Sequence, residues 1–234
     1  MLARMGGILI RALTLAVLLM ASPVLAAPPA ADRPTESATA SLVAAGTVEL
    51  ESGISWRSER FSFPFLLKVG LGGVLEPRLG FDVKGAPFSG PDLSVGFKLR
   101  GFRTKHVALS FLAASALPMN EDSPSMATLR VLVDVTPEKL PIYFGLNLGV
   151  NADWGDALAF SVPISLVVGW NPAPRIAVFL EGAMTVTDRA EGWIVDMGLG
   201  YLLTPRCSVD LNIGWDIPQS VPFVNAGLTL NFGR

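Results

Sequence analysis

The chain holds a single histidine, His106, and a single cysteine, Cys207. Ser110 lies four residues after His106 with the same strand parity, which raises the question of a hydrolase. A Ser–His pair needs nucleophile and base within hydrogen-bond reach, and a third group to orient the base. Along a strand, four residues separate Cα atoms by about 13 Å. His106 therefore cannot serve Ser110, and it reads as a histidine beside a turn. Cys207 has no partner for an intramolecular disulfide. It shares parity with Val209 and Leu211, so it reads as a small apolar group, buried or facing lipid. One histidine, one cysteine and scattered carboxylates give no metal-ligand cluster, and no Gly-rich loop runs from a strand into a helix to cradle phosphate. The residue types point away from an enzyme and call for no metal or cofactor.

What remains is a constellation of charges at alternate positions. The acids are Glu49, Glu51, Glu76, Asp82, Asp92, Asp134, Glu181, Asp196, Asp210 and Asp216; the bases are Arg57, Lys68, Arg78, Lys84, Lys98, Arg100 and Arg130. Their signs are mixed, whereas a pore for one ion sign concentrates one charge at its constriction. Arg78, Lys98, Arg100, Arg130, Asp134, Glu181, Asp196 and Asp210 are the candidates for lining a solute path. The competing reading is that these charges pair across neighbouring strands and close a narrow interior, because isolated charges in a low-dielectric space are costly.

The elements that position these charges are strands. Phe61, Phe63, Phe65, Leu67 and Val69 oppose Ser62, Pro64, Leu66, Lys68 and Gly70. Leu93, Val95, Phe97 and Leu99 oppose Asp92, Ser94, Gly96, Lys98 and Arg100. Val209, Leu211, Ile213 and Trp215 oppose Ser208, Asp210, Asn212, Gly214 and Asp216. Period-2 alternation recurs about twelve times after Ala45, each time with one apolar and one polar face. The segment Val107–Leu117 alternates weakly, with small residues on both faces. Turn residues such as Gly72-Gly73, Thr136-Pro137, Asn171-Pro172 and Thr204-Pro205 separate the runs.

Strands of about 9–13 residues suit a tilted membrane crossing. With an even strand number both chain ends fall on one side. Trp56, Trp193 and Trp215 then mark one interface and Trp170, Tyr201 and Phe232 the other, all on the apolar face, as aromatic girdles do. The same phase predicts shorter periplasmic turns and longer outer links. At the N-terminus, Arg4 and Arg11 flank an apolar run from Leu13 to Met20, followed by Pro23 and the pair Val24 and Ala26. This pattern reads as a signal peptide over residues 1–26. Residues 27–45, rich in Ala, Pro, Ser and Thr, read as a disordered lead-in. Residues 46–234 form one domain. The formal net charge of −2 becomes −4 without the signal segment, and no basic stripe invites nucleic acid.

The last strand carries Asn225, Gly227, Leu230 and Phe232 at the spacing of polar, glycine, apolar and aromatic residues. It resembles the C-terminal signal read by the barrel-insertion machinery, which is thereby implied as a partner. The run LTPRCSVDLNIGWDIPQSVPFVNAGLTLNF, with the opening GTVELESGISW and the strand VLEPRLGFD, resembles the MetA-pathway of phenol degradation family of outer-membrane transporters. That resemblance implies passive uptake of small molecules, with hydrophobic or aromatic ones as candidates.

Together these readings predict an all-β, closed, antiparallel up-and-down barrel of about twelve strands in the outer membrane. Its function is a narrow channel for small molecules. The alternatives are a structural barrel plugged by salt bridges and a soluble exported barrel holding a lipophile, with a membrane-embedded hydrolase the weakest.

Overall fold

The computed structural model describes Asp32 and residues 37–58, 60–85, 91–118, 125–154, 157–187 and 191–233. The expected signal peptide, residues 1–26, lies outside the described residues. Twelve strands follow in chain order: β1 (Val48–Arg57), β2 (Arg60–Val69), β3 (Leu75–Gly85), β4 (Pro91–Arg103), β5 (Val107–Pro118), β6 (Ser125–Val135), β7 (Ile142–Trp154), β8 (Leu158–Ala173), β9 (Ile176–Thr187), β10 (Glu191–Thr204), β11 (Cys207–Asp216) and β12 (Val221–Phe232). Each pairs antiparallel with its sequence neighbours, and β1 pairs with β12, closing the barrel. The closing seam runs without a register shift from Val48 opposite Phe232 to Arg57 opposite Phe223. Closure leaves no unpaired edge, which is the condition for a sheet to stand in lipid.

Alternation decides which way each side chain points. The outer wall exposes Phe61, Phe63 and Phe65, Leu146, Leu148 and Val150, and Leu211 and Ile213. Charged and amide groups point inward: Glu49, Glu51, Lys68, Glu76, Lys98, Asn147, Glu181, Asp196 and Asn212 are all buried. The outside is therefore the apolar face and the inside the polar one, inverted relative to a soluble barrel. All five tryptophans stand on the outer wall, between 42% and 51% exposed. Trp56, Trp154, Trp193 and Trp215 lie near the far rim, and Trp170 near the rim that carries both ends of the barrel, here the terminal rim.

The connections depart from expectation. Links at the terminal rim run from 174–175 to 136–141, and those at the far rim from 58–59 to 119–124. The longest link at each rim is the same length, so both rims are close-cropped and the expected asymmetry is slight.

Three local features shape the wall. Bulges at Arg100/Phe102, Trp170/Ala173 and Leu202/Thr204 all fall at the terminal rim. The first inserts a residue, turning Phe102 outward although Lys98 and Arg100 share its sequence parity. Inward aromatics lie across glycines of the neighbouring strand: Tyr143 over Gly169, Phe179 over Gly198 and Phe223 over Gly214. These glycines seat the rings. Finally, two ladders are interrupted beside inward prolines, which donate no backbone hydrogen bond. Pairing of β1 with β2 skips Gly53 and Ile54 beside Pro64, and pairing of β7 with β8 skips Gly149 and Val150 beside Pro163.

Candidate functional site

The interior holds a second piece of chain. Residues 27–45 read as a disordered lead-in, yet the described part of that stretch is ordered inside the barrel. Ser37, Ala38, Ala40, Leu42 and Val43 are buried. The reason is non-local: Ser37–Leu42 alternate polar and apolar only in small side chains, and the wall supplies the segment's hydrogen-bond partners.

The chain passes into the lumen at the terminal rim. The Gly46 amide donates to the Gly70 carbonyl at 2.8 Å, and the Gly70 amide donates to that of Thr47 at 2.9 Å. A Cβ on Gly70 would collide with the Val43 and Ala44 carbonyl oxygens, so glycine is required for the close approach. From there the segment meets a polar group from each strand between β3 and β9. The Val43 amide donates to Glu76 Oε2 (2.7 Å). Lys98 Nζ donates to the carbonyls of Ser41 (3.2 Å) and Thr39 (2.9 Å). The Ser110 hydroxyl donates to the Ala40 carbonyl (2.6 Å). Asp134 Oδ2 accepts from the Ala40 amide (2.8 Å) and the Thr39 hydroxyl (2.7 Å). Asn147 accepts from the Ala38 amide (2.8 Å) and returns a bond to its carbonyl (3.0 Å). Ser37 is hydrogen-bonded to Ser165 (2.6 Å) and donates to Glu181. Buried backbone groups must find partners, and here lumen side chains provide them.

Packing reinforces this. Ala38 and Ala40 lie in an apolar cluster with Ala108, Leu112 and Leu132. That cluster explains the weak alternation of β5: its inner face is small and apolar because the segment rests on it.

Asp32 ties the segment to a charge cluster on β1–β4. Its carboxylate pairs with Arg78, with Lys98 at 3.2 Å and with Lys68 at 3.7 Å, and accepts from the Thr39 amide at 2.9 Å. Its own amide donates to Glu51 (2.8 Å). Lys68 pairs with Glu49 at 2.7 Å and with Glu51. Glu76 pairs with Arg78 at 3.2 Å and Lys98 at 3.7 Å. Lys68, Lys98, Glu49 and Glu76 are fully buried, so every charge in the group depends on its partners.

The eight lumen candidates thus separate. Arg78, Lys98, Asp134 and Glu181 hold the segment. Arg130 lines a small cavity of about 130 Å³ toward the far rim, together with Asn147, Ser165 and Asp216. Asp196 accepts from Asn212 Nδ2 at 3.2 Å. The Asp210 carboxylate lies over Gly227. Arg100 lies beside Gly73 at the terminal-rim turn and joins no part of this cluster. Asp32, Ser110 and Asn147, which the spacing of charges did not single out, prove equally central. In the closing strand, Asn225 donates to Asn212 (2.7 Å), Gly227 makes room for Asp210, and Leu230 and Phe232 pair with Leu50 and Val48 at the seam. His106 is bonded through Nδ1 to the Thr136 carbonyl (3.1 Å) at the rim. With Ser110 engaged on Ala40, the two form no catalytic pair.

Below the segment, on the terminal side, opens a cavity of about 650 Å³. Ser37, Ala38, Thr39 and Ser41 form one wall, and Tyr143, Val167, Phe179 and Leu202 contribute much of the rest. The segment stands between this cavity and the smaller one toward the far rim.

The fold matches solved outer-membrane channels. The NanC porin aligns with a TM-score of 0.65 at 10% identity, covering 78% of this chain and 98% of its own. The KdgM porin aligns at 0.64 and 5% identity, covering 78% and 98%. The COG4313 outer membrane channel from Pseudomonas putida F1 aligns at 0.62 and 14% identity, covering 85% and 100%. No curated protein matches the sequence. The sequence model of the family described as "Putative MetA-pathway of phenol degradation" matches residues 31–232, and the chain belongs to that family.

Proposed function

We propose that the protein is a narrow outer-membrane channel for small molecules, without enzymatic activity, shut in the described state by its own N-terminal segment. In this reading a cleaved signal peptide exports the chain, the terminal rim faces the periplasm, and the barrel-insertion machinery reads the closing strand. Hydrophobic or aromatic solutes are the candidates.

The observation that carries the reading is how the lumen is closed. From Ser37 to Val43 the segment is held by hydrogen bonds to wall side chains, and at Asp32 by ion pairs, not by sheet pairing with the wall. Such contacts can be exchanged for water or solute without breaking the barrel, and a cavity of about 650 Å³ already lies beneath it. A purely structural barrel is the second reading, favoured by the buried cluster of Lys68, Glu49 and Glu51. Conductance of the full-length mature protein in planar bilayers, with solute flux into liposomes, separates the two. The channel reading expects discrete current steps and flux. Silence in both assays under all conditions would leave the structural barrel.

A further inference from the structure

We propose that the Lys68–Arg78–Lys98 cluster is a carboxylate-binding station, and that a small organic carboxylate with an apolar body opens the channel by taking the place of Asp32. This rests on the channel reading above.

The ion pairs inside the cluster motivate the station. Lys68 has its own acids, Glu49 and Glu51. Arg78 and Lys98 share a single wall acid, Glu76, whose other oxygen accepts the Val43 amide. Asp32 adds a carboxylate that pairs with all three cations. When the segment withdraws, Arg78 and Lys98 each lose an ion pair with Asp32 and keep only Glu76, and an incoming carboxylate would restore both contacts. The group that makes them now is a carboxylate, held by guanidinium and ammonium donors, the arrangement that recognises carboxylates strongly.

Geometry adds the apolar body. Thr39 and Ser41 receive Lys98 through their carbonyls on one side and line the large cavity on the other. The segment is therefore the partition between the cations and the cavity. A ligand with its carboxylate at Arg78 and Lys98 would extend toward Tyr143, Val167, Phe179 and Leu202, across the space the segment now fills.

Benzoate is the probe, with benzamide as its neutral counterpart and chloride as a plain anion at equal ionic strength. In bilayer recordings of the full-length mature protein, benzoate should raise open probability by about tenfold, the equilibrium change that one charge-assisted hydrogen bond is worth. Benzamide and chloride should not. Asp32→Asn should open to a similar extent without benzoate, and Lys98→Gln should lose the response. A lock, Ala38→Cys with Asn147→Cys in a Cys207→Ser background, should stay shut in benzoate when oxidised and respond after reduction. Heat-modifiable migration checks that each variant is folded. The inference is overturned, with the channel reading intact, if current flows but ignores benzoate, or rises equally with benzamide or chloride. It is also overturned if Asp32→Asn gates like wild type, or if the oxidised lock still opens. If neither wild type, Asp32→Asn nor the reduced lock conducts, the channel reading itself fails.

Discussion

Lys68 is fully buried between Glu49 and Glu51, with Asp32 within reach. Removing one member of a buried charge group strands the others, at a cost of about 3–5 kcal/mol. Lys68→Met should destabilise the barrel by that order, measured by urea unfolding in liposomes with the folded band followed on gels. Ser110→Ala removes one neutral hydrogen bond to the Ala40 carbonyl, and should cost only about 1 kcal/mol. The contrast separates two roles: Lys68 belongs to the wall, and Ser110 to the hold on the segment. The first should move the unfolding midpoint of the whole barrel several times further than the second.

Among the elements, the N-terminal segment and the strands obey different rules. The strands were legible because their side-chain period is local: each contributes its apolar face to lipid whatever its neighbours do. The seam near Val48, the outward tryptophans and the inward charges all follow from that period. The segment was not legible. Its residues Ser37–Leu42 alternate polar and apolar, but with side chains mostly too small to mark a strand, and their order comes from Glu76, Lys98, Ser110, Asp134, Asn147 and Ser165, far away in sequence. The one local hint was the weak pattern of β5, whose small inner residues leave room for it. Half of the candidate site was visible as wall charges, and the other half was hidden in what those charges hold. The Gly70 contact gives the element-scale test. Gly70→Ala should leave the barrel folded but unseat the segment. Maleimide labelling of Ala40→Cys in a Cys207→Ser background should then be fast with Gly70→Ala and slow without it. A separate check of ring seating is Gly198→Val. It drives a branched side chain into the Phe179 ring, and overpacking of this kind costs about 1–3 kcal/mol in unfolding assays.

For the whole molecule, the apolar exterior and paired girdles require a bilayer. All five tryptophans lie outside and near the rims, so brominated lipids should quench nearly all the fluorescence. Bromines near the headgroups should quench more strongly than bromines deep in the chains. A water-soluble barrel would show neither effect. Leu148 lies on the outer wall in the middle of β7. Leu148→Arg should cost about 2–4 kcal/mol, the range for a cation facing lipid at mid-depth.

The two proline interruptions carry one more consequence. Pro64 loosens the β1/β2 ladder and Pro163 the β7/β8 ladder, and in the ring these two places are diametrically opposed. They divide the wall into two half-shells of six strands, β2–β7 and β8 through β12 to β1. A cylinder softened along two opposed lines changes shape by ovalising, lengthening one diameter as it shortens the other, while each half-shell stays rigid. Amide exchange should then be fastest, within the strands, at Gly53 and Gly149, whose amides face the prolines. Under the channel function proposed above, a diameter that grows without breaking the seam would let so narrow a tube admit a molecule as wide as an aromatic ring.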